Sequence, residues 1–153
     1  MKKNETFTLS KDLAAQALHD DKRIIEAKRL IKEAVIDHQK NIKQVTPPIE
    51  SLKESYEEMV NSMTAFRGGK LWFPFIGSGI GNGCLVELAD GSVKYDFITG
   101  VGVHFLGHSH PSLIEAGFNA AISDTIMQGN LQQNVDSVRL SELLTKVSGM
   151  PHC

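Results

Sequence analysis

The stretch between residues 83 and 111 limits the possible folds of this chain more than any other. Cys84–Ala89 has strand composition, Asp90-Gly91 is a hairpin turn signal, and Val93–Ile98 returns as the partner strand. Gly100, Gly102 and Gly107 then interrupt regular structure. Pro111 opens a helix, because a first-turn residue has no use for the amide hydrogen that proline lacks. A chain with this order builds a small antiparallel sheet and passes through a glycine-rich loop into a helix. Three of the six histidines, His104, His108 and His110, fall within that loop.

The two halves of the chain differ in character. Residues 1–70 hold 13 of the 16 basic and 11 of the 18 acidic side chains, whereas 11 of the 13 glycines come after residue 70. The first half therefore reads as solvated helices. Ser10 is placed to cap a short helix over Lys11–Leu18, and Asp20 or Asp21 starts a longer one. In that second helix Ile24, Ala27, Leu30, Ile31, Ala34, Val35, His38 and Ile42 recur at helical spacing. Pro47-Pro48 ends it and begins a third, whose stripe is Leu52, Tyr56, Met59, Val60 and Met63, stopped by Gly68-Gly69. These stripes are expected to pack rather than to react.

After Lys70 come an apolar run, Leu71–Ile76, broken by Pro74 into an edge strand or a strapped loop, and then the glycine-rich segment 77–83. Residues 111–122 form a helix with Leu113, Ile114, Phe118, Ala121 and Ile122 on its buried side and Ser109 or His110 near its cap. A loop over 123–134 leads to a last helix over about 136–148, stopped by Gly149 and Pro151.

A formal net charge of −2 gives no reason to expect nucleic acid or an anionic membrane as partner. Two cysteines, Cys84 and Cys153, make no disulfide framework, and the N-terminus lacks a signal-peptide core, so a cytoplasmic location is expected. No apolar run reaches the length of a membrane span.

Each chemical motif has a plain structural reading beside it. The glycines of 77–83 invite a phosphate-loop reading, but a strand follows them rather than a helix, and a connector into the hairpin is expected. His108 and His110 could share a metal as an HxH pair, which would need a third ligand. The plainer reading is that they tie down the loop through hydrogen bonds to backbone groups. Cys153 follows His152 directly, and adjacent side chains diverge. From its residues alone the chain contains no self-sufficient catalytic set.

Taken in order, several pieces resemble the N-terminal part of class III pyridoxal-phosphate-dependent aminotransferases, the ornithine, acetylornithine and 4-aminobutyrate type. They are Gly81-Asn82-Gly83, Leu88-Ala89-Asp90-Gly91, Tyr95-Asp96-Phe97, Gly100-Val101-Gly102-Val103 and Gly107-His108-Ser109-His110-Pro111. Downstream, Gly129-Asn130-Leu131-Gln132-Gln133-Asn134 is similar to the family's Asn-Leu-aromatic-aromatic-Asn segment. Leu140–Leu144, running on to Ser148-Gly149, is similar to the helix before its cofactor cup. The likeness runs over about residues 71–153, and residues 1–70 lie outside it.

Together with the helices read from periodicity over 1–70, this resemblance implies an α+β fragment: a small antiparallel sheet over 71–110, and helices over 111–153 leading into the large domain of a fold-type I enzyme. It implies pyridoxal 5'-phosphate as cofactor, a small-molecule amino donor and a 2-oxo acid as substrates, and a homodimeric parent. The phosphate cup and the lysine that binds the cofactor match no residue of this chain, so no catalytic residue is assigned and the fragment is expected to be inactive alone. The substrate-pocket candidates are Trp72, Gly100, Val101 and Gly102. Val101 stands where ornithine aminotransferases carry an aromatic residue, and Gln132 and Gln133 replace the family's aromatics, which points to a different substrate. Two other readings stay open: a metal-dependent hydrolase using His108 and His110, and a non-catalytic module binding a partner through helices over 20–68.

Overall fold

A computed structural model of the chain describes residues 9–123 and 133–153. Among the described residues it is an α+β structure with a three-stranded antiparallel sheet, a 3-10 turn and six α segments, of which the fourth, α4, is only the short turn Thr99–Gly102. It divides into two compact units, one made of Met1–Arg29 with Glu115–Cys153 and the other of Leu30–Ile114.

In the first unit, helix α1 runs Ala14–His19. It starts later than the sequence predicts, because Ser10 makes a local turn with Asp12 instead of capping the helix. Helix α2, Lys22–Gln39, begins after Asp21, whose carboxylate accepts the Arg23 amide at 2.8 Å. Its first part, with α1, the latter part of helix α5 (Pro111–Ala121) and helix α6 (Val135–Ser148), belongs to this unit. Lys28 Nζ donates to Asn119 Oδ1 at 3.0 Å, and the His19 ring meets Ser123 Oγ at 2.9 Å. Asn134 caps α6 by accepting the Ser137 amide, and Gly149 ends it with left-handed backbone. Of the family-like segment 129–134, residues 129–132, Gln132 among them, lie outside the described residues.

The second unit holds the sheet. Strand β1 is Gly77–Asn82, β2 is Leu85–Leu88 and β3 is Val93–Tyr95, in the order β1-β2-β3. Gly81 pairs with Val86 and Asn82 with Leu85, a bulge separates them from the Gly77–Leu88 pair, and β2 pairs with β3 through Val86–Lys94. The glycine-rich segment is thus a strand rather than the connector expected. Its own propensity for strand is low; the partners that hold it are tertiary. The Asp90-Gly91 signal works through Leu88, whose carbonyl accepts the Gly91 amide at 2.9 Å while its amide donates to the Ser92 carbonyl at 2.8 Å. Gly91 sits at φ 76, the left-handed position that follows a type I turn in a three-residue hairpin loop.

The core of this unit is small: Ile42, Leu85 and Val93, with Ile80 packed against them and Leu88 also buried. Ile42 comes from the turn after α2, and Gln39, at the end of that helix, is buried while the predicted His38 is exposed. Thr46 exchanges backbone hydrogen bonds with Val93 along the outer side of β3. A 3-10 turn at Glu50–Leu52 leads into α3, Lys53–Phe66. Tyr56 on α3 fastens the apolar run before β1: its hydroxyl donates to the Pro74 carbonyl at 3.1 Å and accepts the Ile76 amide at 3.0 Å. Pro74 therefore marks a strapped loop, the second of the two forms expected. None of the described helices is long and apolar enough to cross a membrane.

Candidate functional site

The glycine-rich loop after β3 is built from its two ends. The Asp96 amide donates to the Cys84 carbonyl at 2.9 Å, and the His108 amide donates to the Gly83 carbonyl at 2.8 Å. Both ends of an eleven-residue excursion, 97–107, are thereby anchored on two adjacent residues at the β1–β2 connection. The side chains then close the ring: His108 Nε2 donates to Asp96 Oδ2 at 2.8 Å, with the two side chains 15% and 18% exposed. The other carboxylate oxygen, Oδ1, accepts the Ile98 and Thr99 amides, each at 2.8 Å.

Partial burial pushes the Asp96 carboxyl up, but the His108 bond and the two amides outweigh it and hold the group below its ordinary value. His104 stacks on His108 with ring centroids 4.2 Å apart.

Between the anchors the backbone is unusual. Thr99, Gly100, Val101 and Gly102 all have positive φ, at 52, 58, 59 and 86°. Glycine takes this conformation freely, whereas for residues with a Cβ the left-handed helical form costs roughly 1–2 kcal/mol each, the more so for β-branched threonine and valine. The two flanking residues, Ile98 and Val103, are right-handed. The His104 amide closes the turn onto the Thr99 carbonyl at 2.8 Å. Val101 is 89% exposed at its crest, with Val103 and Phe105 also exposed.

The floor is as tight as the crest is open. Gly81 on β1 passes directly under the loop's end, where an added Cβ would lie 2.5 Å from both His108 Cβ and the Leu85 carbonyl oxygen. Its amide donates to Ser109 Oγ at 3.1 Å. Gln39 Nε2 donates to the Gly81 carbonyl at 2.8 Å and reaches the Ser109 and His108 carbonyls at 3.2 and 3.3 Å.

Of the predicted residues, Gly100, Val101 and Gly102 form one strained turn. Trp72 stands on the strapped segment before β1 and is 86% exposed, so it fills no core in its unit. His108 and His110 turn to separate tasks: the first ring bonds Asp96, and Nδ1 of the second accepts the Ser112 amide at 3.2 Å at the start of α5. Among the described residues, no group of three or more His, Cys, Asp and Glu side chains is placed to hold a metal ion. Sequence reasoning missed Asp96 and Gln39. Asp96 was already part of the Tyr95-Asp96-Phe97 segment, but nothing in its spacing names a histidine twelve residues later as partner.

Chemically, the site is a pinned loop. A carboxylate, two imidazoles and converging backbone bonds hold a left-handed turn that presents apolar side chains.

No family model matches the chain, and no solved structure matches it. Over 70 residues, 46% of this chain, it is 31% identical to the acetylornithine aminotransferase of Methanocaldococcus jannaschii. The match spans 17% of that protein's length.

Proposed function

We propose that this chain is the N-terminal part of a class III pyridoxal-phosphate-dependent aminotransferase, a cytoplasmic homodimer in its full form, and that it supplies one wall of the substrate pocket. The parent moves an amino group between an amine or amino acid and a 2-oxo acid. The observation that carries this reading is the pinned loop 97–107, which holds Val101 exposed on a backbone its own side chain disfavours. Strain of this kind persists where the surrounding structure over-determines it, and it gathers at ligand-binding sites. The partial likeness to an acetylornithine aminotransferase adds independent support.

The described residues do not by themselves fit the cofactor. A phosphate asks for cations or converging amides, and a covalent link asks for a lysine amine. The loop offers a carboxylate, two imidazoles and apolar side chains. No step of the reaction is therefore assigned to this chain. Its residues shape the donor side: Gly100 and Gly102 let the turn form, while Val101, a small apolar group, neither stacks on nor hydrogen-bonds a distal amine or carboxylate.

The test is made on the product of the full reading frame, assayed for amino transfer from a panel of amino acids and amines to a 2-oxo acid. Val101→Tyr is expected to change kcat/KM among donors by tenfold or more and to leave that for the 2-oxo acid within about twofold, an effect of ~1.4 kcal/mol in the donor transition state. The 153-residue chain alone is expected to take up no pyridoxal phosphate. Stoichiometric uptake by that chain, or donor kinetics indifferent to Val101, would refute the proposal.

A further inference from the structure

The turn Thr99–Gly102 is left-handed, yet the backbone on each side is already right-handed helical: Ile98 at φ −91, ψ −23 and Val103 at φ −71, ψ −37. Four residues inverted between two right-handed neighbours have an obvious alternative, a continuous right-handed turn from Ile98 to Val103. Two of the four, Thr99 and Val101, carry β-branched side chains that favour that alternative. What opposes it is local. Asp96 Oδ1 accepts both the Ile98 and Thr99 amides, and Oδ2 is held by the His108 ring. His108 is in turn fixed through its own amide to Gly83 and by the stacked His104.

We propose that Asp96 and His108 form a latch on a strained turn. While they are bonded, Thr99–Gly102 is held left-handed with Val101 projected outward; when the bond opens, the turn relaxes to right-handed backbone and Val101 leaves the crest. The device depends only on backbone chirality and on these side chains, and it stands whether or not the loop belongs to a transaminase. Any ligand group that competes for the His108 ring or for the Asp96 carboxylate would act on it.

The coupling between latch and strain is measurable in the full 153-residue chain. Asparagine tolerates left-handed backbone better than valine does, and the two have nearly equal right-handed helix propensity. Val101→Asn therefore stabilises only the latched form, and Val101 is too exposed for lost packing to obscure this. In the wild-type background Val101→Asn is expected to raise the folded-to-unfolded ratio roughly fivefold in urea titrations. In Asp96→Ala, which removes both carboxylate oxygens and with them the latch, the same change is expected to shift the ratio by less than about twofold.

By nuclear magnetic resonance, Thr99 and Val101 are expected to show the strong intraresidue amide-to-Hα contact of positive φ in the wild type and to lose it in Asp96→Ala. If Asp96→Ala does not fold, His108→Ala opens the Oδ2 half of the latch and is read by the same two measurements. An equal gain from Val101→Asn in both backgrounds, or a positive φ that survives opening of the latch, overturns the proposal.

Discussion

Gly81 lies beneath His108 so closely that a single added methyl would sit 2.5 Å from the histidine's Cβ. The strand that carries Gly81 has no sequence propensity to explain it, and its place is set by what surrounds it: Val86 across the ladder, Ser109 Oγ on its amide and Gln39 on its carbonyl. The fold of the sheet and the geometry of the loop are thus one problem, solved at a residue with no side chain.

Gly81→Ala is the direct probe of that contact. One of the two atoms met is a backbone carbonyl, that of Leu85, so side-chain rotation cannot relieve the clash. Overpacking of this kind costs about 1–3 kcal/mol. The urea midpoint is expected to fall accordingly, with the His108 ring resonances shifting more than those of His19, which belongs to the other unit. An alanine variant as stable as the parent would show that β1 does not sit under the loop.

Gln39 tests the polar side of the same junction. It is buried, and its amide nitrogen is the donor for three carbonyls. Gln39→Leu keeps the volume and leaves those acceptors short of a donor, an expected loss of about 1–3 kcal/mol. Gln39→Glu is expected to be worse at neutral pH, because a carboxylate would face carbonyl oxygens, and to recover part of the loss as the pH falls and the acid gains a proton to donate. Denaturant titrations of both variants at neutral and mildly acidic pH separate the two effects.

The hairpin turn offers a third check. Asp90 Oδ1 accepts both the Ser92 amide at 2.8 Å and the Ser92 hydroxyl at 2.6 Å, and Ser92 is fully buried. Asp90→Ala strands both donors and is expected to cost about 2 kcal/mol or more. Gly91→Ala meets two obstacles at once, the left-handed φ of 76 and Ile49 Cδ1 at 2.5 Å from the new Cβ. It is expected to lower the thermal midpoint by several degrees, at about 4–8 °C per kcal/mol for a small domain. A midpoint unchanged in both variants would mean that the turn is not formed as described.

How much of this was legible in the sequence depends on the range of the interaction that fixes each part. The Asp90-Gly91 hairpin, the Pro111 helix start and the Gly149 stop are local, and they stand out because the residue types carry their backbone angles with them. Gly77–Asn82 was misread as a connector, since its strand identity comes from Val86, Ser109 and Gln39 rather than from its own residues. Ser10 looked like a helix cap, but its hydroxyl bonds Asp12 and the helix starts at Ala14. In the candidate site Gly100 and Gly102 announced an irregular turn. Nothing in Thr99 or Val101 announced left-handed backbone, because that is imposed by Asp96 and by a histidine on the far side of the loop.

The Asp96–His108 pair also makes stability depend on pH, with a sign that follows from the carboxyl's depressed value. In the folded chain Asp96 holds its proton less tightly than in the unfolded chain, because its bonds to His108, Ile98 and Thr99 together outweigh its partial burial. The stabilisation is therefore complete above the ordinary carboxyl value near ~3.9 and is lost as the pH falls through the lowered one. Asp21, drawn down to about 2 by Arg23, adds an acid dependence of the same sign, but it lies far along the chain and is shared by any Asp96 variant. The difference between the parent and Asp96→Asn isolates the pair. Asp96→Asn is expected to be less stable at neutral pH by about 1.5–3 kcal/mol, the range for a hydrogen bond to a charged group. The two stability curves are expected to converge as the pH drops below about 4, where the parent's carboxylate becomes protonated. Urea titrations at closely spaced pH values between neutrality and about 2.5 check this, and curves that stay parallel throughout would show that Asp96 is not bonded as described.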